Sequence, residues 1–157
     1  MNEPLDRFDR RLLQELQNDG HLTNNELGER IALSPSQCSR RRMRLEAEGY
    51  ICGYQAKINR QKIGLDMIVI IAVTLATHNR DNAYKFSQLI NALPEVLEAY
   101  ALTGEMDYHI KVAVRNLKDL SRFVNDILLP HESVQHLKTS IVLDTLKTFE
   151  GFPILET

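Results

Sequence analysis

Apolar residues recur at helical spacing over the first fifty positions and at strand spacing beyond residue 66, and this change divides the chain. Phe8, Leu12, Leu13 and Leu16 fall at i, i+4, i+5 and i+8, one face of a 3.6-residue period, with Asp6 placed to cap it. Asn18-Asp19-Gly20 ends that helix. Thr23-Asn24-Asn25-Glu26 is a capping box, and Leu27 and Ile31 supply the inner face of a second helix. Ser34-Pro35-Ser36-Gln37 repeats the signal 11 residues later, with proline at the first helical position, where its missing N–H costs nothing. The third helix runs to about Glu48 and Gly49 stops it. A two-turn helix meeting the next through Ala32-Leu33 predicts helix-turn-helix geometry, with Gly28 small enough to let the two approach closely. A helical hairpin without a nucleic-acid role is the plain alternative.

Ile51 to Ile58 alternates apolar and polar residues and reads as an extended connector, and 59–66 as a linker. Beyond it, Ile68–Thr77 predicts a strand, Asp81–Leu93 a helix with Ala83, Phe86, Leu89 and Ile90 inward, and Val96–Leu102 and Tyr108–Val114 two more strands. Leu117–Leu129 predicts a helix with Leu120, Phe123, Val124, Ile127 and Leu128 inward, and Leu137–Thr148 a closing strand. The order β-α-β-β-α-β is the split βαβ, ferredoxin-like layout, which makes the chain α+β. The expected organisation is a helix-turn-helix domain over 1–51, an extended linker over 52–66 and a ferredoxin-like domain over 67–157. Helices on one side leave the other sheet face bare, exposing alternate and mostly apolar residues of Ile68–Thr77 and Leu137–Thr148. That face predicts a two-fold partner interface, which would bring two helix-turn-helix units together to read paired half-sites.

Composition changes this picture little: 43% of the 157 residues are apolar and 25% charged, as in an ordinary globular chain. The longest apolar run, Met67–Val73, is strand-sized, so no membrane partner is expected. The first residues show no basic-then-apolar signal pattern, and Cys38 and Cys52 make neither a disulfide framework nor a metal cluster. A reduced, cytoplasmic protein is the expectation. Charge matters more. The net charge of −2 argues against a nucleic-acid partner, yet residues 1–64 carry 11 basic and 9 acidic groups against 8 and 12 in the remainder. Four of those 11 are Arg40, Arg41, Arg42 and Arg44, and phosphate attraction depends on such a local field.

Chemistry follows from where those arginines fall on the third helix. At about 100° per residue, Cys38, Arg42 and Leu45 share one sector. Cys38 and Leu45 should point inward, with Arg42 snorkelling or paired to a carboxylate. Ser36, Gln37, Arg40, Met43 and Arg44 take the outer sector, with Ser39 beside them. Gln37 is suited to adenine and Arg40 to guanine. Arg41 and Arg44 suit phosphates, Arg41 having the alternative of an ion pair with Glu46 or Glu48. The histidines His21, His78, His109, His131 and His136 have no ligand spacing, and no metal site or cofactor is expected. Phosphate loops, nucleophile elbows and Cys–His pairs are absent from the sequence, so catalysis is not expected.

Leu5-Asp6-Arg7-Phe8-Asp9, Asn25-Glu26-Leu27, Leu33-Ser34-Pro35, Arg44-Leu45-Glu46 and Gly49-Tyr50-Ile51 together resemble the winged helix-turn-helix of the Lrp/AsnC (feast/famine) family of bacterial and archaeal regulators. The resemblance continues through Gly53-Tyr54 and Ile63-Gly64. It reaches Thr103-Gly104-Glu105-Met106-Asp107-Tyr108, which is similar to the family's Gly-x-x-Asp-Tyr turn, then Thr139 and Val142-Leu143 to Lys147 in the closing strand. It implies a DNA-binding transcriptional regulator that forms dimers and often octamers. It also implies a small effector, usually an amino acid, bound between dimers near that turn. The residues so implicated are Thr103, Gly104, Glu105, Met106 and Asp107, with Glu132, Ser133 and Gln135 from a neighbouring dimer. Departures from the family pattern are Ser133 for a common Gly, Leu137 for a polar residue, Ala32 for a turn Gly and Arg42 for an aliphatic residue. Two other readings share the resemblance: a siroheme decarboxylase-like enzyme, and an architectural DNA-binding protein without an effector.

Overall fold

The computed structural model describes residues 4–77 and 79–154; His78 and the ends of the expected domains, 1–3 and 155–157, lie outside the described residues. Two compact units result. The first comprises the described residues up to Lys57 together with those from Lys147 onward, and the second is Ile58–Leu146. The last stretch of the expected 67–157 domain therefore belongs to the helical unit. Its anchor is visible: Gln17 donates from Nε2 to the Phe152 carbonyl at 3.0 Å and accepts from the Phe152 amide at 2.7 Å.

The helical unit holds α1 (Arg7–Asn18), α2 (Asn24–Ile31) and α3 (Pro35–Ala47). Each begins on a side-chain cap: Asp6 with Asp9, Thr23 with Glu26, and Ser34 with Gln37, all reciprocal boxes. Leu12, Leu16, Leu22, Leu27, Ile31, Cys38 and Leu45 form its core. Gly28 is buried between α2 and the turn, where an added Cβ would stand 2.5 Å from the Leu33 carbonyl oxygen. Residues 51–58 run without regular pairing, and all but Ile51 are exposed.

In the second unit a 3-10 turn (Gln61–Ile63) precedes β1 (Met67–Leu75), α4 (Arg80–Ala92), β2 (Val96–Ala101), β3 (Tyr108–Val114), α5 (Leu117–Arg122) and β4 (Val134–Ile141). The antiparallel sheet has the order β2-β3-β1-β4. Val69, Ile71, Val73, Ile110 and Val112 meet Phe86, Ile90, Leu120, Phe123 and Leu128 in the core. The expected helix Leu117–Leu129 is α-helical only to Arg122. Phe123–Leu128 widens into a π turn, closed by the Leu129 amide on the Val124 carbonyl at 2.9 Å.

The closing strand is displaced from the expected Leu137–Thr148. It pairs with β1, which begins at Met67, so pairing stops at Ile141 and a last amide bond from Val142 to Ile68 O. This register also corrects the expected apolar open face. Leu137, Thr139 and Ile141 lie opposite Val73, Ile71 and Val69 on the helix side, which sends His136, Lys138 and Ser140 to the other. The side of the sheet away from the helices therefore carries a narrow stripe of Ile68, Ile70 and Ala72, of which Ile70 is half-buried and the other two buried, bordered by polar side chains, among them His109 and Lys111.

Candidate functional site

The second capping box fixes the start of α3. Ser34 Oγ accepts from the Gln37 amide at 3.3 Å, and Gln37 Oε1 accepts from the Ser34 amide at 3.0 Å and its hydroxyl at 3.0 Å. Gln37 is thus exposed but its carbonyl oxygen is engaged, and pairing with adenine requires the box to open. Ser36 is exposed and within 3.1 Å of Ser34 Oγ, and Ser39 is half-buried.

The four arginines separate by environment. Arg42 behaves as the helical wheel predicts. It reaches Glu46 at 3.3 Å, the Tyr54 hydroxyl at 2.8 Å and the Leu22 carbonyl at 3.2 Å, its guanidinium over the Tyr54 ring. Arg41 pairs with Asp6 and Asp9, both at 2.7 Å, and not with Glu46 or Glu48. The reason is that its side chain leaves α3 on the face that meets the start of α1. Arg44, expected on the outer sector, is half-buried against Asp9. Arg40 is exposed and, among the described residues, has no carboxylate partner.

Asp9 is the residue the sequence reading missed. It is completely buried, and Asp9 and Ser133 are the two buried polar residues among those described. Asp9 lies at i−3 from Leu12 and i−7 from Leu16, so helical spacing alone puts it on the core face. Burial opposes the charge of Asp6, but the Asp9 and Phe8 amides and the Arg41 guanidinium hold its carboxyl below the usual carboxylate range. Partial burial likewise works against the Arg41 cation, and the two aspartates more than offset it, raising its pKa. Pro4, Asp6, Asp9, Arg40, Arg41 and Arg44 line a hollow of about 440 Å³.

The second constellation lies at the end of β1. Gly104 has φ +137°, with nothing within 4 Å of where a Cβ would stand. Asp107 Oδ2 accepts from the Leu75 amide at 2.7 Å, and the Asp107 amide donates to the Val73 carbonyl at 3.0 Å. Met106 meets Thr74 through its sulfur at 3.4 Å, and Thr103 and Glu105 are exposed. The Ala76 amide donates to the Ser133 carbonyl at 2.9 Å, and Ser133 Oγ lies 3.5 Å from Asn82. Adjacent amides of one strand end thus hold both segments. Glu132 pairs with Lys85 at 2.9 Å, which holds its carboxyl below the usual range, and Gln135 is exposed.

Comparison with known proteins finds the same two parts, with the family model for the second continuing past Lys147. Residues 68–151 match the family model described as the Lrp/AsnC ligand binding domain, and residues 5–51 a winged helix-turn-helix DNA-binding model. The chain is 32% identical over 152 residues to the transcriptional regulator AzlB of Bacillus subtilis, covering 97% of each. It is 34% identical over 143 residues to the leucine-responsive regulatory protein of Escherichia coli K12, covering 91% of this chain and 87% of that one. Among solved structures, a transcriptional regulator from Neisseria meningitidis in complex with L-Met superposes with a TM-score of 0.92. Its identity is 39%, over 96% of this chain and 97% of that one.

Proposed function

This chain belongs to the Lrp/AsnC family of transcriptional regulators, and from that premise we propose that it reads duplex DNA through the exposed side of α3 and responds to an amino acid held near the Gly104 turn. The observation that carries the reading is Arg40: an exposed guanidinium without a carboxylate partner among the described residues, near the start of a helix packed by a second helix across a tight turn. Such a group suits guanine O6 and N7 in the major groove. Ser36, Gln37 and Ser39 lie on the same two turns, and Arg41 and Arg44 frame them.

For the effector, Gly104 exposes backbone groups that suit a zwitterion, with Thr103, Glu105 and Met106 around it. The Neisseria relative was crystallised with L-Met, which supports the same ligand class here. Asp107 supports the turn through Leu75, while Glu132, Ser133 and Gln135 supply a rim to a neighbouring dimer. The stripe Ile68, Ile70 and Ala72 is the proposed centre of a dimer interface, with octamers built from those dimers. A cytoplasmic, non-enzymatic role completes the proposal.

The test is a thermal-shift panel of the twenty amino acids with size-exclusion chromatography and duplex binding on the same samples. One or a few amino acids are expected to raise the melting temperature and change the assembly or the DNA affinity. A flat panel removes the sensing half of the proposal, and absence of salt-sensitive duplex binding removes the other half.

A further inference from the structure

Neither negative charge at the start of α1 is needed for the caps it serves. Asparagine or serine caps a helix as well as Asp6 does, and a neutral glutamine closes the reciprocal box as well as an acid, as Gln37 does on α3. Yet both positions are aspartate. Both carboxylates reach across to the recognition helix: Asp6 to Arg41 at 2.7 Å, and the fully buried Asp9 to Arg41 at 2.7 Å and to Arg44. Among the described residues, a phosphate entering the hollow beside them feels three guanidiniums and two carboxylates, one net positive charge in place of three.

Sequence-blind DNA affinity comes almost entirely from cations that neutralise phosphates, each contributing about 0.9 to the slope of log affinity against log salt. Base reading needs a guanidinium free to enter the groove. On the reading of α3 given above, we propose that Asp6 and Asp9 form a specificity filter. They occupy Arg41 and Arg44, lowering attraction to arbitrary duplex, and leave Arg40 as the guanidinium that discriminates between sequences. Asp9, deep and fixed, holds both arginines in place; Asp6, with its side chain 46% exposed, sets how far Arg41 is neutralised.

The full-length protein with Asp6→Asn tests this, because asparagine keeps the cap while removing the charge. Asp6→Ser is the second variant, and circular dichroism checks that α1 persists. Affinity is measured for the best selected operator and for a random duplex of equal length, over a series of salt concentrations. Both variants are expected to bind random duplex several-fold more tightly at low salt. Their salt slope should steepen by up to about one unit, and the ratio of operator to random affinity should fall. Unchanged or weaker random-duplex binding at an unchanged slope, with the wild type still selecting its operator, overturns the filter and leaves the DNA-reading assignment standing. A wild type that binds no duplex overturns both.

Discussion

Ala32 ends α2 with φ 58° and ψ 49°, the one left-handed non-glycine residue among those described. An alanine Cβ crowds the following carbonyl there, a strain glycine avoids. Ala32→Gly is therefore expected to raise stability in urea by about 1 kcal/mol; a loss would show that the turn draws on the alanine methyl. Asp6 gives a pH signature. Its folded pKa is depressed, so the stabilisation it provides is complete above the unfolded value of about 4 and is lost as pH falls through the folded one. The wild type should lose more stability than Asp6→Asn between about pH 5 and pH 2.5, as followed by acid titration of the helical signal. Equal losses would mean the Arg41 contact adds nothing. Asp9 shows why this site was only partly legible. Its spacing from Leu12 and Leu16 is that of an inward residue, but a charge is read as solvated unless a partner is visible, and Arg41 and Arg44 lie more than thirty residues away.

At the scale of elements, all three helix starts were legible because caps are local: the hydrogen bonds of Thr23 with Glu26 and Ser34 with Gln37 close within three residues. Strand ends were not, because they depend on where the partner runs out. β4 stops where β1 begins, and the bulge at Thr74/Leu75 sets its register, neither of which is written in the alternation of Leu137–Thr148. The apolar spacing of Leu120, Phe123, Val124, Ile127 and Leu128 reads as continuous α-helix, so the π turn after Arg122 leaves no signal in the pattern. The pattern puts the end of the closing strand at Thr148 and everything after it in the sheet domain, whereas Gln17 holds Phe152 to α1. Gln17→Ala is expected to speed amide exchange at Phe152, whose N–H bonds Gln17 Oε1 at 2.7 Å, with little change in the α3 amides. Unchanged exchange at Phe152 would mean other contacts hold the segment.

The whole molecule comprises a winged helix-turn-helix unit and a ligand-binding unit, each with its own core. Separate cores predict separable losses. Gly104→Val forces a β-branched residue into φ +137°, where the obstacle is the backbone conformation and not space. It is expected to abolish the thermal shift caused by the effector while leaving operator affinity within about twofold; loss of both together would tie the turn to folding instead. The measurement that bears most directly on the central claim is selection of binding sites from random duplex by the wild type and by Arg40→Ala. The account predicts that the variant binds the best wild-type site more weakly by about 1–3 kcal/mol and no longer discriminates at one base position in each half-site. Identical selected profiles for the two proteins would contradict it.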